Sequence, residues 1–540
     1  MPLPVVEGRA VEAMSAKVAP RSFEELRPGF KLRAHAKPKS DLVLAAFFSC
    51  VVLVFAGAVV FANSYDNDVW FFLATGECIV KNGIPYTNPF SIYPDMGFIA
   101  QQWLHCVISY GVYQLGGFVG LGIVAVVLFL ALAASMAALA FKIRQSRSGA
   151  EVVMMLVAAS VVACSTYASV RPHLYSMLAF VWIIYLCEGY RADQRKAQLA
   201  FLPLIVVLHV NLHAAIAPFD LFIIALYCIP DVASMLHRRG RLKGVSLVCA
   251  TYPRKPLVLA LVACAVALFA NPYGASGAFY VLLSYGAASY KGRISEMNNL
   301  VPAASFINAY CTILMFITVC VIGRMGLRRI NLPLLILALV GIVGAVMLIR
   351  NRWLAGLFCF AYLAWATRAS SFTVFKEGRA TRPVACAILI VGVVALSALI
   401  ARGAPALAEK PVDASRTPVE TMRYLDSIGA DKQTTKVFCF FNAGGYVEFC
   451  GYKVNVDPRP EIWNATINGT GKDHYYEYVE MALGNTSFNS YNDRYDFDVF
   501  IIEEGAGTDP YFEDSPAYVE IPGGNGYRSY AKKSWLDQYV

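Results

Sequence analysis

Charged residues are scarce in this sequence of 540 residues. Asp, Glu, Lys and Arg together make up 15% of it, against about 25% in an ordinary soluble protein. Hydrophobic residues make up 57%, and the mean hydropathy is +0.52. This balance excludes a disordered chain, a coiled coil and a small disulfide-bonded scaffold, and it is too apolar for a cytosolic enzyme. The long apolar runs instead predict one large membrane domain.

The sequence also lacks the short motifs of several enzyme classes. It has no P-loop, Rossmann fingerprint, HExxH or GxSxG, so an ATPase, dehydrogenase, protease or hydrolase is not supported. The 14 cysteines show no CxxC or Cys/His spacing for zinc. Two pairs outside the apolar runs, Cys78 with Cys106 and Cys439 with Cys450, are candidates for disulfide bonds.

The apolar runs predict the membrane spans. A transmembrane helix needs roughly 20 mostly apolar residues. This length predicts about eleven spans, at 41–62, 119–141, 150–170, 174–190, 198–213, 215–230, 256–270, 304–323, 331–349, 353–367 and 383–401. The segment 101–116 contains several polar residues and ends at Gly116-Gly117, which favours an interfacial helix followed by a break. The predicted fold class is an all-α polytopic membrane domain with a C-terminal α/β domain.

The distribution of charged residues along the chain predicts the orientation in the membrane and the domain boundaries. With the N-terminus inside, the interior segments carry more than four times as many Lys and Arg as the short exterior loops, as cytoplasmic loops do. The predicted regions are a basic cytoplasmic segment (1–40), a transmembrane domain (41–401) with a first outer loop at 63–118, and an extracytoplasmic tail (402–540). The protein is therefore predicted to be multi-pass in the cell membrane. The basic loops face anionic lipid, so membrane lipid is the predicted partner and nucleic acid is not.

The acidic tail has the patterns of a small α/β domain. It shows a helix signal at 417–428 and a helical stretch at 471–483. Strand-like runs lie at 435–441, 452–456 and 497–502.

Two acidic residues directly follow the first span. Asp66 and Asp68 lie beside the aromatic run 70–72. One interpretation is that they mark the outer membrane interface. The other is that one of them is a general base that deprotonates an acceptor hydroxyl at the membrane surface.

The first outer loop carries a characteristic string. Asp68, Trp70 and Leu73–Gly76 form D-x-W-x-x-L-A-T-G, and Asn88–Ser91 (N-P-F-S) and Trp103-Leu104 follow. In these elements the sequence resembles a group of bacterial proteins of the GT-C glycosyltransferase superfamily. Further elements extend the resemblance over most of the chain: Arg171-Pro172, Asn211–His213, Asn271–Gly274, Ile294–Glu296, Arg350, Arg352 and Asp457–Arg459.

The resemblance implies a GT-C-like enzyme that moves a sugar from a polyprenyl-phosphate donor to a cell-envelope glycan or lipid acceptor on the outer face. It implies that Asp68 or Asp66 is the catalytic base, and Asp68 is favoured because it aligns with the string. Two departures stand out. Asn67 separates two acids that are adjacent in many members, and Pro458 stands where similar tails have glycine. Some members use a divalent metal and others do not, so the metal is left open.

Other candidates lie at predicted outer span ends. Arg171, His173, Arg350 and Arg352 are candidate binding residues for a phosphate, because a guanidinium binds phosphate bidentately. The alternative is that they reach to the membrane interface. Glu296 is interpreted as a second carboxylate, a metal ligand or a solvated loop acid.

Two histidines share one predicted helix face. His209 and His213 are four residues apart, as in some metal sites, but the sequence offers no third ligand. His213 is kept as a candidate substrate-binding residue, and Asp220 is expected to pair or to mark a span end. A rival function is a transporter or assembly protein that handles a lipid-linked glycan without chemistry, and an inactive scaffold is a third.

Overall fold

Apolar helices make up most of the chain before residue 410. The computed structural model describes residues 41–540 except 62–64, 147, 230–251, 285–294, 326–330, 372, 376–377, 413–416, 506–507, 514 and 525. The helices of this part are α1 (Leu42–Phe61), α2 (Val69–Asn82), α3 (Trp103–Arg144), α4 (Ala150–Cys164), α5 (His173–Asp193), α6 (Phe201–Leu212), α7 (Phe219–Cys228), α8 (Lys255–Ala267), α9 (Ala275–Ala278), α10 (Tyr280–Ser284), α11 (Phe306–Met325), α12 (Leu332–Met347), α13 (Arg352–Ala366) and α14 (Thr381–Glu409). Short 3₁₀ helices include Ser165–Tyr167, Lys196–Ala200, Ser295–Met297, Pro302–Ala304 and Ile349–Asn351.

Five of the described helical segments are long and apolar enough to cross a membrane, judged by length and composition. They are α1, α3, α4 with its following turn (Ala150–Tyr167), α11 and α14. Other predicted spans form shorter apolar helices, such as α6 and α7. A helix of 12 residues like α6 rises about 18 Å, which is well short of a hydrocarbon layer about 30 Å thick. The structure thus supports a membrane protein with several spanning helices, whereas the number eleven stays a prediction.

A glycine divides α3, as the sequence predicted. Gly117 has φ 57° and ψ −152° inside the helix, a conformation that is costly for any residue with a Cβ. The polar segment before it and the apolar segment after it are therefore two helical pieces joined at a sharp bend.

A second glycine fixes how α2 packs on α3. A Cβ added at Gly76 would lie 2.2 Å from the carbonyl oxygen of Cys106 and 2.7 Å from the Cβ of Tyr110. At position 76, therefore, only the hydrogen of a glycine fits between α2 and α3. This close contact gives a structural reason for Gly76, the last residue of the first-loop string that begins at Asp68.

We expect Gly76→Ala to lower the free energy of unfolding by about 1–3 kcal/mol, the usual cost of adding a group to a packed core. Thermal unfolding of the purified protein in detergent measures the loss. Gly111→Ala on α3 is the matched control, because a Cβ there meets no atom within 4 Å. Equal melting temperatures for the two variants would contradict the close contact at Gly76.

The tail forms a mixed sheet flanked by helices. The strands described in it are β1 (Lys436–Cys439), β2 (Lys453–Val454), β3 (Val499–Glu503), β4 (Tyr518–Ile521) and β5 (Tyr527–Lys532), in the order β2-β1-β3-β5-β4. β1 pairs in parallel with β2 and β3, whereas β5 is antiparallel to β3 and β4. The helices and one 3₁₀ helix of the tail are α15 (Val419–Ser427), α16 (Gly444–Phe449), Pro460–Trp463, α17 (Ala465–Asn468), α18 (His474–Ala482), α19 (Phe488–Tyr495), α20 (Asp509–Glu513) and α21 (Lys533–Leu536). Each predicted strand and helix of the tail is present, and β4 and β5 are additional.

The first outer loop packs onto the edge of this sheet. The backbone N–H of Val454 in β2 donates to the carbonyl of Phe90 at 2.8 Å, and Ile92 N–H donates to the carbonyl of Val454 at 3.1 Å. The Tyr93 ring stacks on His474 with centroids 3.7 Å apart. The described residues accordingly form one compact unit, in which the loop carrying Asp68 is attached to the tail.

The four cysteines considered for disulfide bonds are free thiols. Cys439 is buried in β1 and donates its S–H to the carbonyl of Val456, with sulfur and oxygen 3.6 Å apart. Burial raises the pKa of the Cys439 thiol, so the group stays protonated. Neither disulfide therefore contributes to this fold.

Candidate functional site

A cavity of about 540 Å³ lies where the first outer loop, several helix ends and the tail meet. Seven of the eight residues predicted for the site line it: Asp66, Asp68, Arg171, His173, His213, Glu296 and Arg350. Arg352 does not line the cavity, because its guanidinium donates to the side-chain oxygen of Asn308. The prediction that Arg352 binds substrate together with Arg350 therefore finds no support in the geometry.

Three carboxylates share one guanidinium in this cavity. The Nη2 of Arg171 lies 2.7 Å from Asp66, 3.1 Å from Asp68 and 3.8 Å from Glu296, measured to the nearest carboxylate oxygen. The guanidinium also lies 5.5 Å from the centroid of the Tyr167 ring. Arg171 was predicted to hold a phosphate, but here it holds the acids together.

One cation cannot neutralise three carboxylates, and this imbalance acts on Asp68. Burial raises the pKa of Asp68 to about 8; Arg171 opposes the shift, and the charges of Asp66 and Glu296 add to it. The same acids raise the pKa of Arg171 further above its ordinary value. A carboxyl group with this pKa exchanges its proton near neutral pH.

Local backbone structure aims these side chains into the cavity. Asp68 occupies the N-cap of α2, yet its carboxylate does not cap the helix. Its backbone N–H donates to the carboxylate of Asp66 at 3.2 Å instead. The fixed φ of Pro172 suits the N-cap of α5, and this start of the helix places Arg171 opposite the two aspartates.

Arg350 forms no ion pair with a described carboxylate, although its charge acts on the buried Glu461 in the same cavity. Its Nη1 donates to the thioether sulfur of Met297 at 3.6 Å. It lies in the 3₁₀ helix Ile349–Asn351, which enters the cavity wall just before Trp353. A guanidinium that lines a cavity and is in an ion pair with no described carboxylate is available to an anionic ligand.

Two histidine rings complete this wall. His173 stacks on Tyr167 at 3.9 Å between centroids, and the His213 ring lies 4.8 Å from His173. Buried Nδ1 of His173 has no hydrogen-bond partner in the part of the chain that is described. His209 was considered as a metal ligand beside His213, but the hydroxyl of Ser176 bridges the two rings.

The tail supplies cavity residues that the sequence did not single out. Glu461 lines the cavity, and burial raises its pKa while Arg350 opposes that shift. Asn442 also lines the cavity, and its carbonyl accepts a hydrogen bond from the side chain of Asn67. The sequence pointed only to the nearby Asp457–Arg459 element. That element gave no reason to select Glu461, two residues further along the chain.

The acidic groups near Arg171 do not make a metal centre in this geometry. Across the described ranges, no group of three or more His, Cys, Asp or Glu side chains is arranged to hold a metal ion. The position between the carboxylates is taken by the guanidinium of Arg171.

No protein-family model matches the sequence, and a search of curated proteins gives no match. The function is therefore inferred from the chemistry of the cavity together with the resemblance of the sequence.

Proposed function

We propose that this chain is a GT-C-like membrane glycosyltransferase. It moves a sugar from a polyprenyl-phosphate donor to a glycan or lipid acceptor of the cell envelope. In this proposal the cavity opens to the outer face, the N-terminus is cytoplasmic, the tail is extracytoplasmic, and the short helices complete a set of about eleven spans.

The observation that carries the proposal is that one cavity contains both a carboxyl group that can accept a proton and a guanidinium that can bind an anion. Asp68 is a partly buried carboxyl whose pKa of about 8 suits proton transfer near neutral pH. Arg350 is a cation that forms no ion pair with a described carboxylate, although it acts on Glu461 across the cavity. A transferase that uses a phosphate-linked sugar needs both groups, one for the acceptor hydroxyl and one for the phosphate.

The proposed roles follow from the side chains that line the cavity. Asp68 takes the proton of the acceptor hydroxyl while that oxygen forms the new bond to the anomeric carbon. The bond from this carbon to the phosphate oxygen breaks, and its electron pair stays on the phosphate, which Arg350 binds. Arg171 positions Asp66 and Asp68, and the tail closes the cavity with Asn442 and Glu461.

We predict that transfer increases with pH. A general base acts in its ionised form, so below a pKa of about 8 kcat/KM is expected to rise about tenfold per pH unit and then to level off. Asp66→Asn should move the midpoint to lower pH, because the Asp66 charge raises the pKa of Asp68. Rates that stay flat between about pH 6 and 8 would argue against Asp68 as the base.

We predict that Arg350→Gln weakens donor binding by about 10- to 100-fold, the usual value of a hydrogen bond to a charged group. Equilibrium binding of a labelled polyprenyl-phosphate sugar in nanodiscs measures this change. Arg352→Gln is a matched control two residues away, since that guanidinium bonds Asn308 outside the cavity. Equal effects of both replacements would show that general positive charge, rather than the cavity, attracts the donor.

Sugar turnover tests the function itself. The protein in nanodiscs is incubated with a panel of radiolabelled polyprenyl-phosphate sugars and envelope extract, with and without a chelator. Consumption of one donor and labelling of an acceptor are expected. Donor binding or movement across the bilayer without consumption would instead support a transporter or assembly protein.

A further inference from the structure

Four buried side chains form a continuous hydrogen-bonded row behind the cavity. Nδ1 of His213 lies 2.8 Å from Oγ of Ser176, and this oxygen lies 2.9 Å from Nε2 of His209. Nδ1 of His209 lies 2.8 Å from Oδ2 of Asp220. The row joins three helices, since Ser176 is on α5, His209 on α6 and Asp220 on α7.

One end of the row reaches the cavity. His213 lines the cavity and uses Nδ1 on Ser176, which leaves Nε2 as the ring nitrogen available to a bound molecule. The other end, Asp220, is fully buried, and its Oδ1 has no hydrogen-bond partner among the described residues. A carboxylate in that position is costly, and a proton on it removes the cost.

The hydrogen bonds link the proton positions of all four groups. If Asp220 is ionised, His209 donates from Nδ1, Ser176 donates to His209, and His213 donates to Ser176. Nε2 of His213 is then a proton acceptor. If Asp220 is protonated, each bond reverses, and Nε2 of His213 carries a proton towards the cavity.

We propose that His213, Ser176, His209 and Asp220 form a proton relay between the cavity and a buried carboxyl group. A proton that binds Nε2 of His213 moves the Nδ1 proton to Ser176, the hydroxyl proton to His209, and the His209 Nδ1 proton to Asp220. Both histidines end neutral, and the relay neutralises a buried carboxylate.

The cavity partner of this relay is a phosphate oxygen, a statement that depends on the function proposed above. When the bond between the sugar and the phosphate breaks, the phosphate oxygen keeps the electron pair. It takes the proton from Nε2 of His213, and Asp220 becomes a carboxylate. A proton from solution restores the relay after the product leaves.

Other titratable or charged groups also act on the relay. Those that face His213 are His105, His173, His209, Arg171 and Arg350. Cys264 faces Asp220. None of them interrupts the row, so a pH response that passes from His213 to Asp220 must pass through Ser176.

Nitrogen NMR of the full-length protein, labelled in histidine and held in nanodiscs, tests the relay. His209→Gln and His213→Gln assign the two signals. We expect His209 and His213 to change tautomer together with one pH midpoint. Asp220→Asn should hold both tautomers constant over the same range, and Ser176→Ala should remove the shared midpoint. The relay is wrong if the two rings do not titrate, if His213 forms an imidazolium at its own midpoint, or if the shared midpoint survives Ser176→Ala.

The ligand is tested separately with farnesyl phosphate and inorganic phosphate. Farnesyl phosphate should shift the shared midpoint in the unmodified protein and leave it unchanged in Arg350→Gln. An equal response to inorganic phosphate would show that the partner of the relay need not be a lipid-linked phosphate. No response to either probe would show that a phosphate is not the partner. A working relay in a protein without transferase activity would reject the proposed function alone.

Discussion

Asp68→Asn is expected to reduce the rate of sugar transfer by about 100- to 10,000-fold, the usual contribution of a general base. Asparagine keeps the shape of the side chain but cannot take the acceptor proton. Arg171 keeps Asp66 and Glu296 as partners, so the fold should be retained. Radiolabel transfer is measured at saturating donor, and thermal unfolding with size-exclusion chromatography checks that the variant is folded.

Asp66 is the necessary comparison, since both acids contact Arg171. Asp66 forms the shorter ion pair, and 38% of its side chain is exposed, against 20% for Asp68. Outside the contact with Arg171, the carboxylate of Asp68 accepts no hydrogen bond from a described residue, which leaves it available to a hydroxyl.

Asp66→Asn should therefore retain most of the transfer rate. Glu77→Gln, on the following helix α2 and paired with Lys81, controls for loss of negative charge. The reverse result, with activity lost only in Asp66→Asn, would assign the base to Asp66.

Seven of the eight predicted site residues line one cavity, and the reason is where charges occur in an apolar chain. A charged side chain is costly to bury among apolar groups, so it lies at the end of an apolar run or in a cavity. Asp68, Arg171 and Arg350 are distant in sequence, yet all line one cavity. The strands and helices of the tail were also predictable, because their apolar patterns are local.

Pairing within the site was not predictable, because it depends on tertiary contacts. Nothing local to Arg171 shows that three acids from two other segments surround it. Arg350 and Arg352 looked equivalent in sequence. Residues two apart at a helix start point in different directions, so one enters the cavity while the other contacts Asn308.

The number of spans was uncertain for a related reason. Hydropathy measures how apolar a segment is, and it does not show how much of that segment is helical. The spans predicted at 198–213 and 215–230 contain α6 and α7, which have only 12 and 10 residues and are separated by a turn after His213. That turn also brings His213 to the cavity wall.

Arg459→Met is expected to destabilise the protein by about 3–5 kcal/mol, the usual effect of removing one partner of a buried ion pair. Arg459 pairs with Asp457 and with Glu448 (2.8 Å), and it donates to the hydroxyl of Thr75 at 3.2 Å. Its guanidinium also lies 4.5 Å from the centroid of the Phe71 ring. These contacts attach the tail to α2, the helix that begins at Asp68.

Loss of this cation should affect activity as well as stability. Without Arg459, two buried carboxylates face each other, and the tail separates more easily from α2. Proteolysis between the tail and the membrane part should become faster. Transfer should fall together with the folded fraction, whereas Asp68→Asn lowers transfer in a protein that remains folded.

The pH dependence of this variant distinguishes charge from packing. Burial already raises the pKa of Glu448 in the presence of Arg459, and removal of the cation must raise it further. The folded variant then binds protons that the unfolded chain does not, so its stability increases as pH falls. We expect the difference in melting temperature from the unmodified protein to shrink between about pH 8 and pH 5. A difference that does not change with pH would mean that lost packing against Phe71, and not an unpaired buried charge, destabilises the variant.

Adding Glu448→Gln and Asp457→Asn to Arg459→Met should recover much of the lost stability, because neutral side chains of the same shape need no counterion.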